Sequence, residues 1–126
     1  MVLIRDYTFS GPDGAVVRMK WYGTRATSAP KYIVNLTVGP GAGSSWLKEA
    51  DRYAQTVGPD AVAQIGGTVD PPEHISIQGA PGIVYTDFLG WVSVSWFPSP
   101  DTVISVTSWK AARASLEHIA QQVVMH

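Results

Sequence analysis

The chain has 126 residues, of which 45% are hydrophobic and 15% charged, and its formal net charge is −1. This length and apolar content are typical of one domain with a single core, and the near-neutral charge leaves no excess of Lys and Arg for a dedicated nucleic-acid surface. The lack of cysteine excludes thiol nucleophiles, Cys-ligated zinc, iron–sulfur clusters and structural disulfides. We therefore predict one domain over residues 1–126, with no cofactor and no nucleic-acid partner.

The N-terminal part of the chain predicts three antiparallel strands. Residues 3–9 form a first strand, and the following Gly11-Pro12-Asp13-Gly14 predicts a hairpin turn, because Pro presets φ and Asp-Gly tolerates positive φ. Residues 16–22 and 31–38 alternate apolar and polar side chains. The expected core residues are Val17, Met19 and Trp21 in the second strand, and Tyr32, Val34, Leu36 and Val38 in the third.

A segment rich in glycine, residues 39–45, follows the third strand. Its position between a strand and a predicted helix is that of a phosphate-binding loop. Pro40, however, has no N–H to donate, and the spacing of the glycines matches neither the Walker pattern nor the dinucleotide-binding pattern. We therefore interpret the segment as a connector.

A helix is predicted over about residues 45–57, with Ser44 or Ser45 as its N-cap. Its apolar stripe, typical of a helix that lies on a sheet, consists of Trp46, Ala50, Tyr53 and Val57. Residues 58–73 are rich in Gly, Pro and Asp, and only residues 61–65 among them suggest a strand.

Four more strands follow in quick succession and are closed by a helix. They are predicted at residues 74–78, 83–88, 91–97 and 102–108. Their expected inward residues are Ile75, Ile77, Val92, Val94, Trp96, Ile104 and Val106. Ser108 is the predicted N-cap of a helix over about residues 109–124. The predicted fold class is thus α+β, an antiparallel sheet of about six to seven strands with two helices packed on it.

The side chains that carry acid–base or metal chemistry are sparse. His74, His118 and His126 are not spaced as a pair of metal ligands. His74 could form a carboxylate–imidazole cluster with Asp70, Glu73 and Asp87, but solvated loop charges explain these residues better. No serine lies in a Gly-x-Ser-x-Gly elbow. We therefore predict no catalytic residue and no metal site.

The aromatic residues are more informative, because five tryptophans exceed what a core of this size requires. Alternation turns Trp96 inward and places Trp91 on the opposite face of its strand, beside a turn that begins at Asp87. Exposed aromatic side chains often anchor ligands or partners. The predicted contact residues are Asp87, Phe88, Trp91 and His74. The alternative is that Trp91 and Trp109 only cover the second face of the sheet or a helix end.

Residues 74–123 carry an ordered set of features. Ile75-Ser76-Ile77-Gln78-Gly79 is followed by Val94-Ser95-Trp96 and then by Leu116-Glu117-His118-Ile119-Ala120. This order resembles the C-terminal part of a poorly characterised extracytoplasmic domain found in bacterial lipoproteins and membrane-bound anti-sigma factors. The resemblance implies shared packing of a helix on a sheet and assigns no functional residue.

These observations favour a non-catalytic binding or sensor-type domain whose partner is an unknown small molecule or protein. Two alternatives stay open: a small enzyme with a cleft at the sheet edge, and an assembly module that pairs through an exposed strand, forming a homo-oligomer. We expect no membrane span in this chain. Its compartment is left open between the cytoplasm and an extracytoplasmic location, the latter for a domain excised from a longer protein.

Overall fold

The structure, a computed structural model, describes residues 2–10, 14–24, 31–44, 73–86 and 90–123. The strands are β1 (Val2–Ser10), β2 (Val16–Gly23), β3 (Tyr32–Val38), β4 (Glu73–Ile77), β5 (Ala80–Thr86), β6 (Trp91–Ser99) and β7 (Thr102–Trp109), and the helix α1 is Arg113–Ala120. Residues 42–44 are also helical. The helix predicted over about residues 45–57 and the strand suggested at residues 61–65 lie outside the described residues.

All seven strands belong to one sheet, in the order β1-β2-β3-β7-β6-β5-β4, and every neighbouring pair is antiparallel. Two meanders, β1 to β3 and β4 to β7, meet where β3 pairs with β7. The predicted antiparallel sheet is confirmed, and the described part of the domain is mainly sheet. Among the strands of the described residues, β1 and β4 form the two edges of the sheet.

One face of the sheet, which we call the helix face, packs against α1. Leu116 and Ala120 of the helix are fully buried on it. The buried strand residues of this core are Val34, Ile77, Val84, Val92, Val94, Trp96 and Val106. The inward orientation that alternation predicts for Val92, Val94 and Trp96 is confirmed.

The opposite face has a smaller apolar cluster and a row of hydroxyl groups. The cluster consists of Ile83, Phe97 and Val103, with Ala42 packed against it. Next to it, the Oγ atoms of Ser95 and Ser105 lie 2.8 Å apart across β6 and β7. Because each hydroxyl is the hydrogen-bond partner of the other, these buried serines cost little to desolvate.

The predicted inward residues of β2 and β3 do not share a face. The register pairs Lys20 with Val34, so the side chain of Lys20 lies on the helix face beside the buried valine. Val17, Met19 and Trp21 therefore lie on the opposite face, where only Val17 is fully buried. Alternation shows which residues share a face within one strand, but it carries no information about the register between strands.

The start of α1 also differs from the prediction. Ser108 belongs to β7 rather than to a helix cap, and its hydroxyl donates a hydrogen bond to the carbonyl of Lys31 at 2.7 Å. The N-cap residue is Ala112, which makes no side-chain capping bond. The helix is consequently shorter than predicted, since the backbone between β7 and Arg113 is used for a turn.

Candidate functional site

The described residues form a cleft of about 470 Å³ at the end of the sheet where β3 begins and β7 ends. We call it the Trp109 cleft. Its lining residues are Thr24, Lys31, Tyr32, Ser108, Trp109, Lys110, Ala111, Ala112 and Ser115. Three parts of the chain therefore meet there: the two ends of the β2–β3 connection, Thr24 and Lys31, the end of β7 and the first turn of α1.

The turn after β7 positions the two most prominent side chains of the cleft. Trp109 is the last residue of β7, and the next residue, Lys110, has a left-handed backbone with φ of 55°. The N–H of Lys110 donates to the carbonyl of Gly90 at 2.8 Å, which fixes this conformation. A left-handed backbone costs a residue with a side chain on the order of 1 kcal/mol, and glycine avoids that cost.

Two ammonium groups give the cleft its charge. Lys110 Nζ lies 4.6 Å from the centroid of the Trp109 ring system, and Lys31 Nζ lies 5.8 Å from the centroid of the Tyr32 ring. Both distances are within the range of a cation–π contact, which orients the ammonium group without neutralising it. Among the described residues that line the cleft, none is acidic. The cleft is therefore positively charged.

The first turn of α1 adds to this positive potential. Its N-cap, Ala112, offers no side-chain oxygen to the free backbone N–H groups, and the turn contains no acidic residue. Ser115 also lines the cleft. Arg113, by contrast, donates to Thr86 Oγ1 at 3.3 Å and lies 3.8 Å from the Glu73 carboxylate, so its guanidinium group faces β4 and β5.

Trp109 supplies the apolar part of the cleft. It is 56% exposed, more than any other large hydrophobic residue in the described part of the chain. In the β6–β7 register Trp109 is the direct partner of Trp91, so the two side chains lie side by side on one face. Trp91 is half-buried, and the leading surface aromatic is therefore Trp109 rather than Trp91.

The four contact residues predicted from sequence are not brought together. Asp87 and Phe88 lie outside the described residues. Trp91 pairs with Trp109, which lines the cleft. His74 is on the edge strand β4, two strands from Trp91 on β6 and three from β7, and is in register with Ile83. A contact role for Asp87, Phe88 and His74 stays a prediction, and for Trp91 the structure adds proximity to the cleft.

The described residues do not assemble an acid–base pair from Glu73 and His74. The two are consecutive on β4, so their side chains point to opposite faces of the sheet. The Glu73 carboxylate is directed toward Arg113. In addition, no group of three His, Asp or Glu residues within the described ranges is arranged to hold a metal ion.

The glycine-rich segment after β3 uses its N–H groups internally. The N–H groups of Gly39 and Gly43 donate to the carbonyls of Asp101 and Pro100, both at 2.9 Å, and that of Gly41 donates to Asp101 Oδ1 at 2.7 Å. These donors are thus bound to the β6–β7 hairpin rather than offered to a phosphate. The interpretation of the segment as a connector agrees with this geometry.

Sequence reasoning missed the main features of the cleft. Lys31 and Lys110 are 79 positions apart, and only the pairing of β3 with β7 brings them together. The one local signal is the pair Trp109-Lys110, two residues before a helix whose start has no capping side chain. An exposed aromatic residue next to a cation at a helix start is a pattern that a sequence search can include.

Comparisons of the chain with protein-family models, with curated proteins and with solved structures found no match. The resemblance of residues 74–123 to an extracytoplasmic domain therefore stays a prediction. Within the described ranges, no helix has the length and apolar character needed to span a membrane.

Proposed function

We propose that this chain is a non-catalytic binding domain and that its ligand is a small molecule with a carboxylate or phosphate group attached to a planar apolar group. The ligand binds in the Trp109 cleft. The observation that carries this proposal is the contact of the Lys110 ammonium group with the exposed ring of Trp109, 4.6 Å apart, in a cleft without a described acidic residue.

The backbone of Lys110 supports a role for its side chain. Glycine would adopt the left-handed conformation at this position without strain, yet the chain carries a lysine. Strained residues of this kind are concentrated at binding sites, where the rest of the fold holds them in place. The ammonium group of Lys110 is therefore positioned at a cost in stability, which supports a binding role for it.

The chemistry of recognition follows from the lining. The anionic group of the ligand pairs with Lys110 and Lys31, and charge-assisted hydrogen bonds of this kind contribute about 1.5–3 kcal/mol each. The planar group covers the indole of Trp109 and removes its exposed apolar surface from water. A ligand with only one of these two groups should bind much more weakly.

A panel of simple probes tests this combination. Benzoate and phenyl phosphate carry both groups, inorganic phosphate and acetate carry the charge alone, benzyl alcohol carries the ring alone, and benzylamine reverses the charge. We expect benzoate or phenyl phosphate to raise the melting temperature of the protein, since a ligand that binds only the folded state stabilises it. The comparison of these two probes distinguishes a carboxylate ligand from a phosphate ligand.

The matched variants are Lys31→Gln in the cleft and Lys20→Gln outside it, since Lys20 does not line the cleft. We expect Lys31→Gln to lower the affinity for the tighter-binding probe about tenfold, which corresponds to ~1.4 kcal/mol of binding free energy. Lys20→Gln should leave the affinity for the same probe unchanged. Equal stabilisation by benzylamine and benzoate, or equal losses in the two variants, would contradict the proposal.

A further inference from the structure

A second surface, independent of the Trp109 cleft, lies along the edge strand β1. In the described part of the chain β1 pairs with β2 alone, and all of its residues except Ile4 are exposed. Its nine residues extend about 30 Å, at roughly 3.4 Å per residue. The outer N–H and C=O groups of such a strand are available to another strand.

The usual protections of an edge strand are weak in β1. Proteins shield edges with proline, lysine, bulges or very short strands. β1 contains neither proline nor lysine, and its single irregularity, between Leu3 and Arg5, leaves the stretch from Arg5 to Ser10 regular. The other edge strand, β4, is only five residues long. The two edges therefore differ, and β1 is the one open to pairing.

The side chains of β1 offer an apolar surface next to that edge. Tyr7 and Phe9 are 36% and 46% exposed and lie on the same face, with ring centroids 6.1 Å apart. The Trp21 ring on β2 lies 6.0 Å from Tyr7, and Arg5 lies over it at 5.5 Å. The rings of Tyr7 and Phe9, with the part-buried Trp21 beside Tyr7, form an aromatic patch of the kind that marks an interface.

The charges of β1 are also compatible with a second copy of the same strand. The opposite charges of Arg5 and Asp6 cancel, so two copies of β1 meet without net electrostatic repulsion. Asp6 is already paired with Arg18, whose Nη2 lies 3.1 Å from Asp6 Oδ2. Self-pairing therefore buries no unpaired carboxylate.

We propose that β1 pairs antiparallel with β1 of a second copy of this chain, about a twofold axis that passes through Tyr7. Residues that face each other in an antiparallel pair lie on the same face of the sheet. An axis at Tyr7 places Arg5 opposite Phe9 of the second copy and Asp6 opposite Thr8. Axes at Arg5 or Asp6 instead place like charges directly opposite each other, which destabilises a pair.

The consequence of this geometry is a continuous sheet across both copies. The two aromatic clusters become neighbours on one face, and Arg5 of each copy meets a ring of the other. The Trp109 cleft lies at β3 and β7, so pairing at β1 leaves it accessible. Dimer formation and probe binding in the cleft are thus separate properties.

Light scattering across a dilution series from about 1 mM to about 1 μM tests the proposal. We expect a mass of twice 13.6 kDa at high concentration that falls toward the monomer value on dilution. A monomer mass at every concentration would overturn the proposal.

Two charge variants test the position of the axis. Tyr7→Lys and Tyr7→Glu each bring two like charges together, so each variant alone should be monomeric, whereas an equal mixture of the two should form a heterodimer. Val38→Lys adds a charge at an exposed position of β3 and should leave the dimer intact. Unchanged circular dichroism spectra would show that the variants are folded. Dimers of Tyr7→Lys alone, or no association in the mixture, would overturn the twofold pairing.

Discussion

The side chain of Gln121 binds the backbone of Gln78 across the junction between the β4–β5 turn and the end of α1. The side-chain Oε1 of Gln121 accepts a hydrogen bond from the backbone N–H of Gln78 at 2.8 Å. In return, Nε2 of Gln78 donates to the carbonyls of Ala120 and Val123 at 2.9 and 2.7 Å. The carbonyl of Ala120 at the end of α1 and that of Val123 just beyond it thus accept hydrogen bonds from a residue 42 and 45 positions away.

Substitution of Gln78 should measure the strength of this junction. Gln78→Ala removes both side-chain donors and leaves helix-end carbonyls without these partners, so we expect a loss of about 1–3 kcal/mol in the free energy of unfolding. Urea denaturation measures it. Gln122→Ala is the control. The Nε2 atom of Gln122 lies 3.4 Å from Nε2 of the exposed His118, and the loss of this long, exposed contact should cost little. Equal losses in the two variants would contradict a structural role of Gln78.

The close packing of Gly43 gives a second prediction. A Cβ atom on Gly43 would lie 2.7 Å from the carbonyl oxygen of Ser99 and 3.0 Å from that of Thr102. Gly43→Ala should therefore cost about 1–3 kcal/mol by overpacking.

Gly41 is the matched control for Gly43→Ala. A Cβ at Gly41 meets no atom within 4 Å, but the residue has φ of 70°. Gly41→Ala should cost only the backbone strain, on the order of 1 kcal/mol. Thermal unfolding of both variants measures the difference, and a smaller loss for Gly43→Ala than for Gly41→Ala would contradict the packing described for the glycine-rich segment.

The pair Asp6 and Arg18 predicts a dependence on pH. The hydrogen bond from Arg18 lowers the pKa of the Asp6 carboxyl below its ordinary value. A carboxyl whose pKa is lower in the folded state stabilises the fold above its unfolded pKa, and this contribution disappears as the pH falls through the folded value. Arg18→Gln should raise the pKa of Asp6, which NMR titration of the carboxyl carbon follows. Lys20→Gln should raise it less, because the Lys20 charge is a smaller cause of the lowered pKa.

Lys110 connects stability with binding. Lys110→Gly should relieve the left-handed strain and raise the free energy of unfolding by about 1 kcal/mol, while it weakens binding of phenyl phosphate or benzoate. Lys110→Ala keeps the strain and loses the ammonium group, so it should weaken binding without the gain in stability. A glycine variant that is less stable than the alanine variant would contradict the strain at this position.

Much of the sheet follows from the sequence because its strands are short and their apolar residues alternate. Val92, Val94 and Trp96 are inward as predicted, since α1 covers one face of β6. The register between strands does not follow from the sequence in this way, because it depends on how two strands pair with each other. Lys20 lies opposite Val34 although neither strand alone reveals this partner.

The errors at the candidate site have a related physical origin. Ser108 has the residue type of a helix cap, but its hydroxyl is bound to the carbonyl of Lys31, which is 77 positions away. That same contact brings the start of β3 to the cleft. Trp91 was predicted as the exposed aromatic from alternation alone, whereas its cross-strand partner Trp109 is the one that remains exposed at the strand end. Both differences arise from contacts between residues that are far apart in the sequence.

Binding of an anionic, planar ligand in the Trp109 cleft is tested most directly by an NMR titration. Phenyl phosphate and benzoate are added to ¹⁵N-labelled protein, and the five indole N–H signals are followed, with Trp109→Phe used to assign the signal of Trp109. We predict a saturable shift of the Trp109 signal, with the backbone signals of Lys110 and Ser115 shifting at the same ligand concentrations. Shifts that spare Trp109, or an affinity that Lys110→Ala leaves unchanged, would contradict binding in the cleft.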